Sequence, residues 1–276
     1  MLDTKDPGEI ERFGAQGSCI LITVAKAKGS TPRIAGTKML ASLDGVLGTI
    51  GGGQLEYMAM DAARDMLRAN QAERTLSIPL GPEIGQCCGG HLTLLLSKVL
   101  PSQRAALASS VTSQMHQQPS VYIFGAGHVG RALATAMLPL PVNSLLIDSR
   151  REELALADPA IDQDLTALPE THIRHAKPGS AFVMLTHDHA LDFILTREAL
   201  EQQDAAYIGM IGSKSKRATF ASWLEDEMGN RDALARLTMP IGASTLKDKR
   251  PAVIAAMAAS EIMQAVGTYA HARVPA

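Results

Sequence analysis

The sequence predicts an α/β protein of two parts, a mixed α/β N-terminal domain and a Rossmann-like C-terminal domain with a parallel sheet. Three observations lead there. The chain has 276 residues, more than one ordinary domain needs and enough for two. From Ser120 onward, short all-apolar runs alternate with helical patterns, the signature of a parallel sheet covered on both faces. Before that point the pattern is less regular and two glycine-rich loops interrupt it, at Gly51–Gly53 and Gly81–Gly90.

Taken in order, Ser18–Ala27 is rich in β-formers and ends at a Gly-Ser-Thr-Pro turn, Gly29–Pro32. Lys38–Ile50 holds two apolar runs flanking Asp44-Gly45, a hairpin signal. Gln54–Asn70 spaces its apolar residues at helical intervals, with acids early and arginines late as the helix dipole prefers. His91–Leu100 reads as a buried strand. We place the first domain at 1–100 and a helical or flexible linker at 101–119, where Ser and Gln are concentrated and a proline stands at each end. The second domain spans 120–276. Its strands are VYIF, which runs into a glycine turn and a helix, SLLID, AFVML after a weakly patterned stretch, and then AYIGMI and LTM, each followed by a helical pattern.

Composition excludes several classes. A net charge of −2 and an aromatic content of 4% argue against a nucleic-acid partner, which needs a basic face and stacking surfaces. The charged start MLDTKDPGEIERF is unlike a secretory signal, and no apolar run reads as a membrane span, so the expectation is a cytoplasmic protein. Three cysteines, Cys19, Cys87 and Cys88, two of them adjacent, make no disulfide framework and fit a reducing compartment.

The residues that carry chemistry lie in the loops. G-A-G-H-V-G places Gly125, Gly127, His128 and Gly130 between a strand and a helix, with Asp148 ending the next strand. In that context the glycines permit a tight turn, close approach of a phosphate and close helix packing, and Asp148 would bond the ribose of a dinucleotide such as NAD(P). Gly51, Gly52 and Gly53 repeat the strand–loop–helix logic and offer a second phosphate nest. Glu56, in the first turn behind them, either caps the loop amides or contacts a ligand. In GPEIGQCCGG, Gln86, Cys87 and Cys88 sit among glycines that let a ligand approach the thiols. The spacing is wrong for zinc and suits a soft metal–sulfur centre or a carrier of activated sulfur. The third strand of the second domain ends Thr186-His187-Asp188-His189, at the edge where α/β sheets bind ligands; metal binding there competes with capping by Thr186 and Asp188. Lys214, Lys216 and Arg217 follow the fourth strand at a helix start, where cations suggest an anion nearby.

Together GSTPRIAGTKML (29–40), GTIGGGQLE (48–56), GPEIGQCCGG (81–90), IFGAGHVGRAL (123–133), LTHDHALD (185–192) and YIGMIGSKSKR (207–217) resemble the XdhC/CoxI family of xanthine dehydrogenase accessory proteins, in order along nearly the whole chain. GASTLKDKRP near the C-terminus is closer to the accessory-protein branch than to the CoxI-like branch. The resemblance implies a chaperone, not itself an enzyme, that binds molybdenum cofactor, supports its sulfuration by a cysteine desulfurase and delivers it to the molybdenum subunit of apo-xanthine dehydrogenase. It implies a homodimer, and Cys87 or Cys88 as the cofactor-contacting thiol and candidate molybdenum ligand. An NAD(P)-linked oxidoreductase built on the GAGHVG loop is the competing expectation.

Overall fold

The computed structural model describes residues 2, 4, 6–13, 17–81, 89–229, 231–242 and 248–273. Two compact units divide the chain at Gln117/Gln118.

The first unit is built on an antiparallel sheet. Its strands are β1 (Cys19–Lys28), β2 (Lys38–Ala41), β3 (Val46–Gly48), β4 (Glu73–Pro79) and β5 (His91–Val99), in the order β3-β2-β1-β5-β4. β2 and β3 form the expected hairpin, with the Ser42 hydroxyl accepting the amides of Asp44 and Gly45. Alternation along β1 sends Ile20, Ile22 and Val24 into a core shared with Leu92, Leu94 and Leu96 of β5. Helix α2 (Gly53–Arg68) covers that face through Leu55, Ala59, Ala63 and Met66, spaced at three and four residues. Helix α1 is Pro7–Phe13.

The stretch read as a linker belongs to this unit. After a single 3-10 turn it forms α3 (Arg104–His116), whose Ala108 and Val111 pack with Leu2, Ile10 and Cys19 on the sheet's other face. Its polar composition concealed this because only a narrow stripe of the helix is buried. β4 also went unrecognised, because as an edge strand it buries only Ile78 and is otherwise polar.

The second unit is a six-stranded parallel sheet. β6 (Ser120–Phe124), β7 (Asn143–Asp148), β8 (Gln163–Leu165), β9 (Ala181–Met184), β10 (Tyr207–Met210) and β11 (Leu237–Thr238) lie in the order β11-β10-β9-β6-β7-β8. Relabelled within the unit this is 6-5-4-1-2-3, the doubly wound order, with its switch point between β6 and β9. Helices α4 (His128–Met137) and α9 (Pro251–His271) cover one face; α5 (Arg151–Leu154) and α6 (Glu170–Arg174) follow β7 and β8. α7 (His189–Glu201) and α8 (Lys214–Met228) cover the other face. The Rossmann-like expectation holds. β8 lay unseen in a stretch too short and polar to show a strand pattern.

One expectation needs correcting. α9, at 21 residues, is long and apolar enough to cross a membrane by length and composition, although no such run was read from the sequence. Here it is a layer of the α/β unit: Ala255, Ala258, Ile262 and Val266 are buried against the sheet and α4, and mid-helix Glu261 accepts a hydrogen bond from Tyr207 at 2.9 Å.

Candidate functional sites

In the first unit, three glycine-bearing loops meet at one end of the antiparallel sheet. Lys28 at the end of β1 pairs with His91 at the start of β5, which also pairs with Pro79 at the end of β4. The Gly29–Pro32 turn, the Gly51–Gly53 loop and the Gly89–Gly90 pair all emerge there. Ser30 bridges Gly89, and a side chain on Gly90 would collide with the Ser30 carbonyl. Pro32 closes over Gly51, where an added Cβ would lie 2.7 Å from its ring. Residues 82–88 lie outside the described residues, and with them Gln86, Cys87 and Cys88. Both flanks of that segment are fixed: the Gly89 amide donates to the Leu80 carbonyl at 2.9 Å and the Leu80 amide to the Gly90 carbonyl at 2.8 Å.

The triple glycine is indeed a nest of inward-facing amides, but its anion is internal. Oε1 of Glu56 accepts from the amides of Ile50 (2.9 Å), Gly51 (3.2 Å) and Gly52 (2.9 Å) and from the Thr49 hydroxyl (2.5 Å). Burial on its own would raise the Glu56 pKa; the Thr49 hydroxyl and loop amides outweigh it and hold the carboxyl below its ordinary value. The phosphate expected at Gly51–Gly53 is therefore replaced by the Glu56 carboxylate, the capping alternative. Gly52 and Gly53 nonetheless keep an open outer side, with no atom within 4 Å of an added Cβ, and so does Gly89.

In the second unit the GAGHVG loop sits at the switch point. A side chain on Gly125 would strike the Leu185 carbonyl at the end of β9, and one on Gly130 would strike the Gly125 carbonyl, so these two glycines serve close packing. Gly127 differs. Its φ of −65° suits any residue and nothing lies within 4 Å of an added Cβ. It precedes α4 as an N-cap without a side-chain cap, and His128 beside it is exposed.

Asp148 supports this loop. Its Oδ2 accepts the Ala126 amide (2.7 Å) and Nη2 of Arg150 (2.8 Å), while Oδ1 accepts the Arg150 amide and Nε, both at 3.0 Å. Arg131 holds the other side of Ala126, donating to its carbonyl at 2.5 Å and to Glu153 Oε2 at 2.6 Å. Burial opposes ionisation of Asp148, but Arg150 and the Ala126 amide prevail and keep its pKa low. All four lone-pair directions of the carboxylate are taken. The ribose contact expected of Asp148 is thus not open to it while Arg150 stays in place.

A cavity of about 60 Å³ opens beside the loop, lined by Gly125 after β6, Asp148 and Ser149 after β7, Thr166 and Ala167 after β8, and His187 after β9. Asp188 caps α7, accepting the Ala190 amide at 2.8 Å. His187 and His189 are exposed, and among the described residues no group of three or more His, Cys, Asp or Glu side chains is placed to hold a metal. Asp188 thus takes the capping role, whereas the Thr186 hydroxyl donates to the Asp188 carbonyl and to Asp192 Oδ1, and His187 lies on the cavity.

The basic residues after β10 do not form an anion cluster. Lys216 donates to Asp192 Oδ2 at 2.5 Å and to the Ile211 carbonyl at 3.2 Å, and Arg217 donates to the carbonyls of Leu237 and Met239. Of the three, Lys214 is exposed and the other two are partly buried. Asp192, completely buried, also accepts the amide and hydroxyl of Thr186, so the Asp192–Lys216 pair ties the loop after β9 to the loop after β10. Sequence reasoning passed over Asp192 as an anchor and Arg150 as the partner of Asp148, although the D-x-R spacing carried the latter.

Comparison with known proteins agrees with this division. Residues 121–262 match the family model described as the XdhC Rossmann domain, and residues 14–79 that of the XdhC and CoxI family. An uncharacterized protein of Escherichia coli K12, YqeB, is 27% identical over 255 residues, which are 87% of this chain. The chain spans 42% of that relative's length. A crystal structure described as a xanthine dehydrogenase from Bacillus halodurans superimposes with a TM-score of 0.80 at 18% identity, covering 99% of this chain and 98% of the other, and so shares its fold.

Proposed function

The chain belongs to the XdhC family, and from that premise we propose that it is an accessory factor that binds molybdenum cofactor, protects it, supports its sulfuration and inserts it into apo-xanthine dehydrogenase. The observation that carries the reading is the meeting of three glycine loops at one end of the first unit's sheet, with the segment bearing Cys87 and Cys88 anchored at both flanks between β4 and β5.

The residues fit such a ligand in part. Gly52, Gly53 and Gly89 present bare backbone on which a flat pterin can rest, and a cradle of this kind would be filled by any side chain. A thiolate from Cys87 or Cys88 is the soft donor a molybdenum–dithiolene centre favours, with Gln86 beside it as a polar contact. The Gly51 and Gly52 amides are committed to Glu56 and do not hold the phosphate. When bound, the cofactor supplies a molybdenum centre whose terminal sulfur is installed by a cysteine desulfurase. The protein's own part is to present a thiol from a loop pinned at Leu80 and Gly89 and to keep the neighbouring loop rigid through Glu56.

The partners on this reading are the dehydrogenase molybdenum subunit, a cysteine desulfurase and a second copy of the chain, in the cytoplasm and in the service of purine breakdown. The competing oxidoreductase reading draws on the cavity at the switch point of the parallel sheet and requires hydride transfer to a substrate. Reconstitution separates them. Apo-dehydrogenase mixed with cofactor-loaded protein gains activity under the chaperone reading, and does so less with a Cys87→Ser or Cys88→Ser carrier. Equal activation by free cofactor and by all carriers contradicts it.

A further inference from the structure

We propose that the cavity at the switch point of the parallel sheet is a nucleotide site that selects a ribose carrying a phosphate on its 2′ position. The inference does not rest on the cofactor reading and can fail without it.

The shape of the site follows from the fold. Its walls come from the loops after β6, β7, β8 and β9, which surround the crevice where doubly wound sheets take dinucleotides. Thr166, Ala167 and Pro169 from the stretch after β8 and Thr186, His187 and Leu191 from the stretch after β9 line it. The open backbone at Gly127, in the same loop as the cavity-lining Gly125, leaves room for a phosphate that Gly125 and Gly130 lack.

The ribose end decides the chemistry. Recognition of a ribose diol at the end of the second strand requires a carboxylate with lone pairs to spare. Asp148 has none, because the Ala126 amide and three donors of Arg150 use them. Beside that wall stands the Arg150 guanidinium, partly exposed and held side-on by Asp148 with Nε and Nη2 engaged. Its Nη1 lies 4.0 Å from Glu153 Oε1, and Glu153 is itself paired with Arg131 at 2.6 Å. Arg151, next in the chain, is exposed. A fixed guanidinium followed in sequence by a second arginine is suited to a phosphate monoester through charge-assisted, forked hydrogen bonds. A neutral diol gains no such bond. Asp148 thus acts as the positioning residue for Arg150, and Arg150 as the specificity determinant.

Isothermal titration of the full chain tests this with two matched pairs, adenosine 2′,5′-bisphosphate against adenosine 5′-monophosphate and NADP+ against NAD+. The 2′-phosphorylated member of each pair should bind roughly tenfold or more tightly, the worth of one or two charged hydrogen bonds. Arg150→Ala should erase the preference. If that variant does not fold, Arg150→Lys decides, retaining charge without the fork and narrowing the preference. Ala167→Trp, on an exposed loop that lines the cavity, should abolish binding of all four ligands. Equal affinities within each pair, no binding up to millimolar concentration, or a preference that survives Arg150→Ala would overturn the proposal.

Discussion

Oε1 of Glu56 accepts the amide of Gly52 at 2.9 Å, so the anion of the triple-glycine nest is a side chain of the protein itself. The carboxylate sits one helical turn into α2 and folds back over the loop that starts the helix, as a capping group does. That relationship makes the loop a rigid wall instead of a vacant anion site.

Glu56→Ala should therefore cost about 2 kcal/mol of unfolding free energy, because four donors around one partly buried oxygen lose their acceptor. Urea denaturation measures it; a loss within error of zero would show that water replaces the carboxylate without penalty.

The same contact predicts a pH dependence. The folded-state pKa of Glu56 is below the unfolded value near 4.5, so its contribution is fully present above that value and is lost as pH falls through the lower folded pKa. Denaturation of wild type and Glu56→Gln at pH 7 and pH 3 should show a gap that narrows at the acid end. A constant gap would assign the effect to packing.

Glycine substitutions sort by what lies beside them. Gly51→Ala meets the Pro32 ring at 2.7 Å with φ at +133° and should destabilise by several kcal/mol, on the order of an overpacked core. Gly127→Ala, with φ at −65° and open space, should leave the melting temperature unchanged while weakening any ligand that approaches the loop backbone. Thermal melts of the two variants side by side check the contrast.

Breaking the pair between Asp192 and Lys216 should be costly. Lys216→Met leaves a fully buried carboxylate with only Thr186 to satisfy it, and a loss of about 3–5 kcal/mol follows. Asp192→Asn in the same background should recover part of it, since the amide keeps an acceptor for Thr186 without the orphaned charge. No recovery in the double variant would argue against the pair as the source.

Much of this fold was legible because apolar periodicity is strong where burial is strong. β6, β9 and β10 are buried along their whole lengths or nearly so, and each showed as a continuous apolar run. β4 and β8 were not legible, as edge strands with few buried positions carry little pattern. For α3 a helix was among the readings but its packing into the first unit was not, since Ala108 and Val111 are too few to mark a helical face. At the sites, sequence located the loops but not the partners. Gly125 and Asp148 could be named from spacing, yet that Arg150 would saturate Asp148 depends on rotamers that no local pattern encodes. Likewise the glycine run at 51–53 signalled a nest, while the identity of its anion was decided by the fold-back of Glu56. Cys87 and Cys88, outside the described residues, stand on the sequence alone.

The most direct measurement of the central claim is anaerobic gel filtration of the protein after incubation with molybdenum cofactor, wild type beside Cys87→Ala and Cys88→Ala. The account predicts molybdenum and pterin co-eluting at close to one per chain with wild type, and retention lost in one of the two cysteine variants. Wild-type protein that elutes free of both, under conditions where it remains folded, would contradict it.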